Sequence, residues 1–523
     1  MTLSEVGLEI PDKFNVAVEL VDKNLELGRG KKVAIYYRDQ ALTYEDVYRA
    51  VNKTGNALKN LGVDLEDRVL LLLLDCPEFA ASFFGAIKIG AVPIPTNTLL
   101  KSKDYLYLLN DSRAKVALVS EPLVPLIEEI RSELRYLKHL VVVGTAGPNQ
   151  LSYRELVAGA SEELEPADTS KDDAAFWLYS SGTTGFPKGA VHLHHDMLVA
   201  SELYAKGILN IKEDDITFSV AKLFFAYGLG NGLYFPFRVG ASTVLHPERP
   251  EPKGIYEVIS RTKPTLFFCV PTAYAAMLQA ADSIPGVDMS SIRLCVSAGE
   301  ALPKAIFDAW QKKFNLIILD GIGSTECLHI FISNRPDDIK AGSSGKPVPG
   351  YAAKIVDPEG REVPDGEIGT LMVKGDSIAA YYWNKHEKSK ETFHGPWINT
   401  GDKYFKDPDG YFWYVGRGDD MLKAGGIWVS PVEVENTIME HPAVLECGVI
   451  GSVDHDNLEK PKAYIVLKDG FQASEELAVD IQKYVKGRIA HYKYPRWVEF
   501  VGQLPKTATG KTMRYVLRQL NQQ

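Results

Sequence analysis

The sequence predicts an α/β fold: a large N-terminal part built on parallel-rich sheets, followed by a small α+β unit at the C-terminus. Three observations lead there. Short apolar runs alternate with helical patterns through most of the chain, as stacked βα units require. Near residue 400 this alternation breaks into glycine-rich, charged segments and a new pattern starts. The length of 523 residues also exceeds what one hydrophobic core organises.

The elements follow in order. Thr43 with Asp46 forms a capping box, and Val47, Ala50, Val51, Leu58 and Leu61 fall on one face of the helix behind it. Residues 69–74 are aliphatic throughout and read as a buried strand. Pro77 suits the first turn of the next helix. Further strands are expected at 116–119, 140–143, 266–270 and 316–319. Residues 174–178 form another strand, which then runs into a loop of hydroxyls and glycines. Thr400-Gly401-Asp402 reads as a turn, and Asp407-Pro408-Asp409-Gly410 is a strong turn before an aromatic strand at 411–415. Strands at 443–450 and 463–467 and a helix at 475–488 supply a separate unit of roughly a hundred residues. The boundary is expected between Gly418 and Asp419, giving units 1–418 and 419–523. There is no internal repeat and no low-complexity block.

Composition narrows the partners. Apolar residues make up 45% and charged residues 24% of the chain, ordinary values for a globular protein. A net charge of −10 argues against a general nucleic-acid or anionic-membrane surface. The run at 69–74 is too short to cross a bilayer. The N-terminal stretch MTLSEVGLEIPDKF has no basic and apolar signal pattern. The five cysteines (Cys76, Cys269, Cys295, Cys327, Cys447) are scattered with no CxxC pair, so reduced thiols in a cytoplasmic protein are expected.

The chemistry concentrates first in Tyr179-Ser180-Ser181-Gly182-Thr183-Thr184-Gly185-Phe186-Pro187-Lys188-Gly189. Glycines let backbone N–H groups approach an anion, and the hydroxyls and lysine add donors and charge. This suits nucleotide phosphates, but the pattern GxxxxGK[ST] does not fit, so it is not the common P-loop. The cluster His192, His194, His195 and Asp196 follows at once and invites a metal reading. It lacks a separate acidic or cysteine partner, and a structural role is expected.

Other segments complete a set. They are Ser297-Ala298-Gly299-Glu300, Asp320-Gly321-Ile322-Gly323-Ser324-Thr325-Glu326, Thr400-Gly401-Asp402, Gly416-Arg417-Gly418-Asp419-Asp420 with Lys423, and Pro505-Lys506-Thr507-Ala508-Thr509-Gly510-Lys511. In this order and spacing the chain resembles the adenylate-forming superfamily of acyl-CoA synthetases, luciferases and peptide-synthetase adenylation domains, over nearly its whole length. The segments 221–232, Leu328-His329-Ile330-Phe331, 422–431 and 492–497 look like the benzoate–CoA ligase branch.

The resemblance implies a large, multi-layer AMP-binding domain with a small mobile C-terminal domain. It implies an acid–thiol ligase that uses ATP, Mg²⁺ and coenzyme A to convert benzoate, or a hydroxy- or aminobenzoate, into its CoA thioester through an acyl-adenylate. A stand-alone adenylation enzyme loading a carrier protein and a non-catalytic nucleotide-binding protein are the other readings. By the same resemblance Lys511 is the catalytic lysine, joined by Thr325 and Glu326 in adenylation and by Lys423 in thioester formation. Glu326 would hold the magnesium with Thr184. Ser180, Ser181, Gly182, Thr183, Thr184 and Lys188 would hold the outer phosphates. Gly299, Glu300, Ala301, Gly321, Ile322 and Gly323 would sandwich the adenine, and Asp320 and Ser324 would also belong to the nucleotide site. Many relatives carry an aromatic where Ile322 stands. Asp402 and Arg417 would reach the ribose. Phe225, Ala226, Tyr227, Gly228, Gly323, His329 and Ile330 would form the acid pocket, with one of Phe224 and Phe225 serving as core and His329 either pairing with the carboxylate or simply satisfied. Asp419 would be the hinge, and Gly425 and Gly426 would line the pantetheine tunnel. A homodimer is a family-level expectation.

Overall fold

The computed structural model describes residues 8–182, 185–418, 420–424, 427–454, 459–506 and 512–521. The expected α/β architecture is present, with a large N-terminal part and a small C-terminal one. The largest sheet has nine strands, and six of them run parallel: Ile318–Gly323, Leu294–Ser297, Leu266–Cys269, Ile216–Ser219, Ser242–Leu245 and Val33–Tyr37. Antiparallel strands close both edges, at Gln40–Thr43 and at Ile330–Ser333 with Lys346–Pro347. A second sheet of five strands is parallel throughout, ordered Val92–Pro95, Arg68–Leu72, Val116–Ser120, His139–Val143 and Leu151–Ser152. Its central strands are covered on both faces, which explains their unbroken apolar sequence.

Local signals act where the chain carries them. The Thr43–Asp46 capping box forms at the start of Tyr44–Asn60, and Pro77 opens Pro77–Lys88. Val47, Val51 and Leu58 lie buried on the core side of the first of these helices, where periodicity put them.

Three boundaries move. The strand expected at 174–178 continues to Gly182 and pairs with Gly185–Leu193, so the hydroxyl-rich segment is the arms of a β-hairpin. Asp320, Gly321, Ile322 and Gly323 lie inside a strand, extended by antiparallel pairing with Ile330–Ser333. Thr400-Gly401-Asp402, expected as a turn, is an irregular stretch within the long strand Trp397–Lys406, where its register against Gly369–Lys374 shifts. Gly401 adopts φ +74° there, a conformation open to glycine.

The C-terminal part contains an antiparallel pair, Val444–Val453 and Glu459–Leu467, with Trp497–Phe500 added in parallel. The helices Pro431–Met439 and Glu475–Lys486 share a separate apolar core with these strands. Among the described residues no helix is long and apolar enough to cross a membrane. All five cysteines are buried and none is in a disulfide.

Candidate active site

The hairpin brings residues from distant parts of the chain to Glu326. Strand alternation points Ser180 and its cross-strand partner Lys188 to one side. The Ser180 hydroxyl donates to Glu326 Oε1 at 3.0 Å. Tyr382, from the short strand Tyr381–Tyr382 paired to the hairpin, donates to the same oxygen at 2.7 Å. Lys188 Nζ lies 4.7 Å from the centroid of the Tyr382 ring. Burial holds the Lys188 ammonium below its usual range, while Glu326 pulls the other way. Burial, and then the Glu326 charge, push the Tyr382 phenol far above its usual range, so it stays a donor. Sequence reasoning missed Tyr382. Nothing local marks it, and its role arises only when the third strand joins the hairpin.

The turn carrying Thr325 and Glu326 is held firmly. Ala379 N donates to the Glu326 carbonyl at 2.7 Å, and Ser377 Oγ to the Cys327 carbonyl at 2.8 Å. Leu328 sits in the left-handed region at φ +69° although it is branched and fully buried. Such a conformation costs on the order of 1–3 kcal/mol and persists only where the surroundings enforce it.

The three histidines hold structure together. The ring nitrogens of His192 face Asp196 Oδ2 at 2.7 Å and the Thr325 carbonyl at 2.8 Å. His194 Nδ1 accepts from Val16 N at 3.1 Å. His195 Nδ1 lies 2.9 Å from the Lys171 carbonyl. Among the described residues no group of three or more His, Cys, Asp or Glu side chains is placed to hold a metal ion. Glu326, a single carboxylate oriented by two hydroxyl donors, still suits magnesium, which takes few protein carboxylates and completes its shell with phosphate oxygens and water. Thr184, expected to assist, lies outside the described residues, as does Thr183. Ser181 and Gly182 are in the hairpin arm.

Around the expected adenine position, Gly299 adopts φ +96° in the loop after Leu294–Ser297, beside Glu300 and Ala301. A Cβ at Gly321 would sit 2.8 Å from the Ile332 carbonyl oxygen, and one at Gly323 would sit 2.6 Å from that of His329. Close backbone approach therefore requires glycine at both. Asp320 is buried, accepts from Leu302 N at 3.2 Å, and has its carboxyl pushed up to about 8 by burial. Ile322, Ser324 and Thr325 remain partly accessible. Asp402 and Arg417 are cross-strand partners, and Arg417 Nη1 donates to Asp402 Oδ1 and to the Thr400 carbonyl, each at 3.1 Å.

Of the residues expected in the acid pocket, the segments 225–228 and 329–330 meet through Tyr227 and His329. Phe224 is core, 5% exposed, while Phe225 is half-buried with its ring 4.4 Å from that of Phe224. Tyr227 Oη donates to the Val296 carbonyl at 3.1 Å. A Cβ at Gly228 would lie 2.1 Å from the Lys222 carbonyl oxygen. Ala226 lies beside these on the same segment, and Ile330 is buried. His329 Nε2 faces the Asn231 side-chain oxygen at 3.1 Å and the Tyr227 carbonyl at 3.3 Å, and its ring packs among Phe235, Tyr204, Tyr227 and Tyr234. Burial lowers it to about 3, which favours the neutral ring at pH 7.

The C-terminal part touches this region. Thr512 N donates to Glu300 Oε1 at 3.3 Å. Lys506 and Thr512 form a β-bridge, and Met513 N donates to the Pro505 carbonyl at 2.8 Å. Lys511, Asp419 (the expected hinge), Gly425 and Gly426 lie outside the described residues. Lys423 is on the strand Leu422–Ala424. Arg514 is buried against Glu435 at 2.7 Å and lies 3.5 Å from Asp420.

Comparison with known proteins agrees with this geometry. The AMP-binding enzyme family matches residues 24–383, and the AMP-binding enzyme C-terminal domain matches residues 433–511. The chain is 51% identical over 514 residues to a benzoate–CoA ligase of Thauera aromatica, covering 98% of this chain and 97% of the relative. An anthranilate CoA ligase solved in complex with anthranoyl-AMP superposes with a TM-score of 0.95 at 48% identity, covering 100% of this chain and 99% of the other. A benzoate CoA ligase from Burkholderia xenovorans LB400 superposes with a TM-score of 0.90 at 45% identity, covering 97% and 100%. The chain belongs to the AMP-binding enzyme family.

Proposed function

We propose that the chain is an ATP-dependent aryl-carboxylate–CoA ligase, with benzoate as its acid. It produces benzoyl-CoA, AMP and pyrophosphate through a benzoyl-adenylate. The observation that carries this reading is the convergence on Glu326 of Ser180, Lys188 and Tyr382, with Thr512, next in sequence to Lys511, bonded to Glu300.

In the first half-reaction a benzoate oxygen attacks the α-phosphorus of ATP, and pyrophosphate leaves. Two anions must meet, so donors and cations have to offset their repulsion. Thr325 and Lys511 serve the α-phosphate, with Lys511 also on the carboxylate. The hairpin with Ser180 and Lys188 holds the outer phosphates, and Asp402 and Arg417 hold the ribose. A magnesium bound at Glu326 supplies charge neutralisation of the phosphates. In the second half-reaction the thiol of CoA attacks the acyl carbon, and AMP leaves with the bonding electron pair.

Aminobenzoate and hydroxybenzoate differ from benzoate by a single small group, which an apolar pocket discriminates weakly. The anthranilate ligase likeness makes aminobenzoate the second reading. Unit 1–418 holds the ATP and acid sites, and unit 419–523 rotates about Asp419, so that Lys511, which serves adenylation, withdraws and the strand with Lys423, followed by Gly425 and Gly426, takes its place for thioester formation.

The test is product analysis with ATP, CoA and a panel of benzoate, 2-aminobenzoate, hydroxybenzoates and hexanoate. Stoichiometric aryl-CoA, AMP and pyrophosphate, with kcat/KM highest for benzoate, is expected. A preference for hexanoate would overturn the aryl assignment.

A further inference from the structure

The hairpin is held from outside as well as from the Glu326 side, by a helix that none of the expected site residues belongs to. That helix is Ser102–Ser112. Tyr107 and Asp111 stand one turn apart on it and so share a face. Tyr107 grips one arm: its ring stacks on Phe186 with centroids 4.7 Å apart and planes 18° from parallel, and its hydroxyl donates to the Pro187 carbonyl at 3.1 Å. Phe186 is 67% exposed, so this stack is its main cover. Asp111 grips the other arm: its carboxylate accepts from Tyr179 Oη at 2.7 Å. The Asp111 carbonyl also accepts from Trp383 Nε1 at 2.9 Å, and Trp383 N donates at 2.8 Å to the carbonyl of Gly189, the cross-strand partner of Tyr179.

Both arms are thus anchored immediately beside the tip, at residues 179 and 186–187, by one rigid helix face. Within each arm, alternation sends Tyr179 to the helix and Ser180 to Glu326. Arms already held in place have less freedom to lose when an anion binds between or beyond them, so anchoring them lowers the ordering cost of binding.

We infer that Tyr107 and Asp111 are positioning residues that pre-order the hairpin for the β- and γ-phosphates of ATP. This rests on the reading of the hairpin as the phosphate site. AMP lacks those two phosphates, so the clamp acts on ATP affinity and leaves AMP affinity alone.

Direct binding of Mg·ATP and of AMP, measured by calorimetry on the full chain and on Y107A, Y107F and D111N, tests it. The expected result is about a tenfold loss of ATP affinity in Y107A and D111N with AMP affinity unchanged. Y107F keeps the stack and should lie nearer the parent. Thioester formation from preformed benzoyl-adenylate and CoA should stay intact in all three, which a merely structural fault would not allow. Unchanged ATP affinity in Y107A and D111N overturns the inference, and so does a parallel loss of AMP affinity and thioester formation. A parent that binds ATP no tighter than AMP overturns it as well. ATP binding as expected in a protein inert toward every aryl acid would instead leave the clamp standing and sink the ligase assignment.

Discussion

At the residue scale, burial decides what the histidines and glycines do. His329 and His194 are held neutral, lowered from 6.5 to about 3 and about 4, chiefly by burial. Both charge on unfolding, so their contribution to stability is present above pH 6.5 and is lost as pH falls toward the folded values. Going from pH 7 to pH 5 should remove on the order of 2 kcal/mol for each. Urea midpoints at the two pH values check this, and His329→Gln should reduce the pH dependence. An equal acid loss in that variant would show that His329 is not buried neutral.

Gly228 gives a second prediction. Its Cβ would overlap the Lys222 and Ala221 carbonyls, so Gly228→Ala must shift the 221–228 segment. The KM for benzoate should rise at least about tenfold while the KM for ATP changes little. An unchanged benzoate KM would remove this segment from the acid pocket. The residue types of the proposed pocket were legible in sequence, but the burial that favours a neutral His329 was not. It comes from four aromatic rings supplied by residues 204–235, far from it in the chain.

At the element scale, local signals were legible and pairing was not. The capping box at Thr43–Asp46 is a three-residue pattern, and it forms as read. The phosphate segment was read as a loop because hydroxyls and glycines disfavour regular structure. It is extended because each arm finds the other across Gly182 and Gly185 and a third strand at Tyr381–Tyr382. Thr400-Gly401-Asp402 looked like a turn for the same reason. Its long strand is fixed by partners on both sides, and Gly401 absorbs the register shift. Gly401→Ala should therefore strain the backbone and push on Arg417, whose Nη2 would lie 3.1 Å from the new Cβ. An increase in the KM for ATP, with loss of about 1 kcal/mol in stability, is expected. Normal ATP kinetics would argue against Asp402 and Arg417 as the ribose contact.

At the scale of the whole molecule, the order of motifs along the sequence carried the architecture. The fold class, with its large N-terminal and small C-terminal part, appears in the structure. The contact between Thr512 and Glu300 was beyond sequence, since it depends on how the C-terminal part seats on the N-terminal one. With a net charge of −10, the chain must gather cations locally for its anionic substrates, and Lys188 and Arg417 are near enough to influence each other. The proposed rotation about Asp419 would let one site serve two reactions. Asp419→Pro should leave adenylate formation within about threefold and depress thioester formation at least about tenfold. Equal loss of both half-reactions would count against the hinge.

The central claim, adenylation of an aromatic acid at this site, is tested most directly by benzoate-dependent exchange of labelled pyrophosphate into ATP without CoA, in the parent and in Lys511→Ala. The expected result is rapid exchange in the parent and a loss of at least about a hundredfold in the variant, since a preorganised charge is removed. Absence of exchange with benzoate and every other aryl acid, or near-parental exchange in Lys511→Ala, would contradict it.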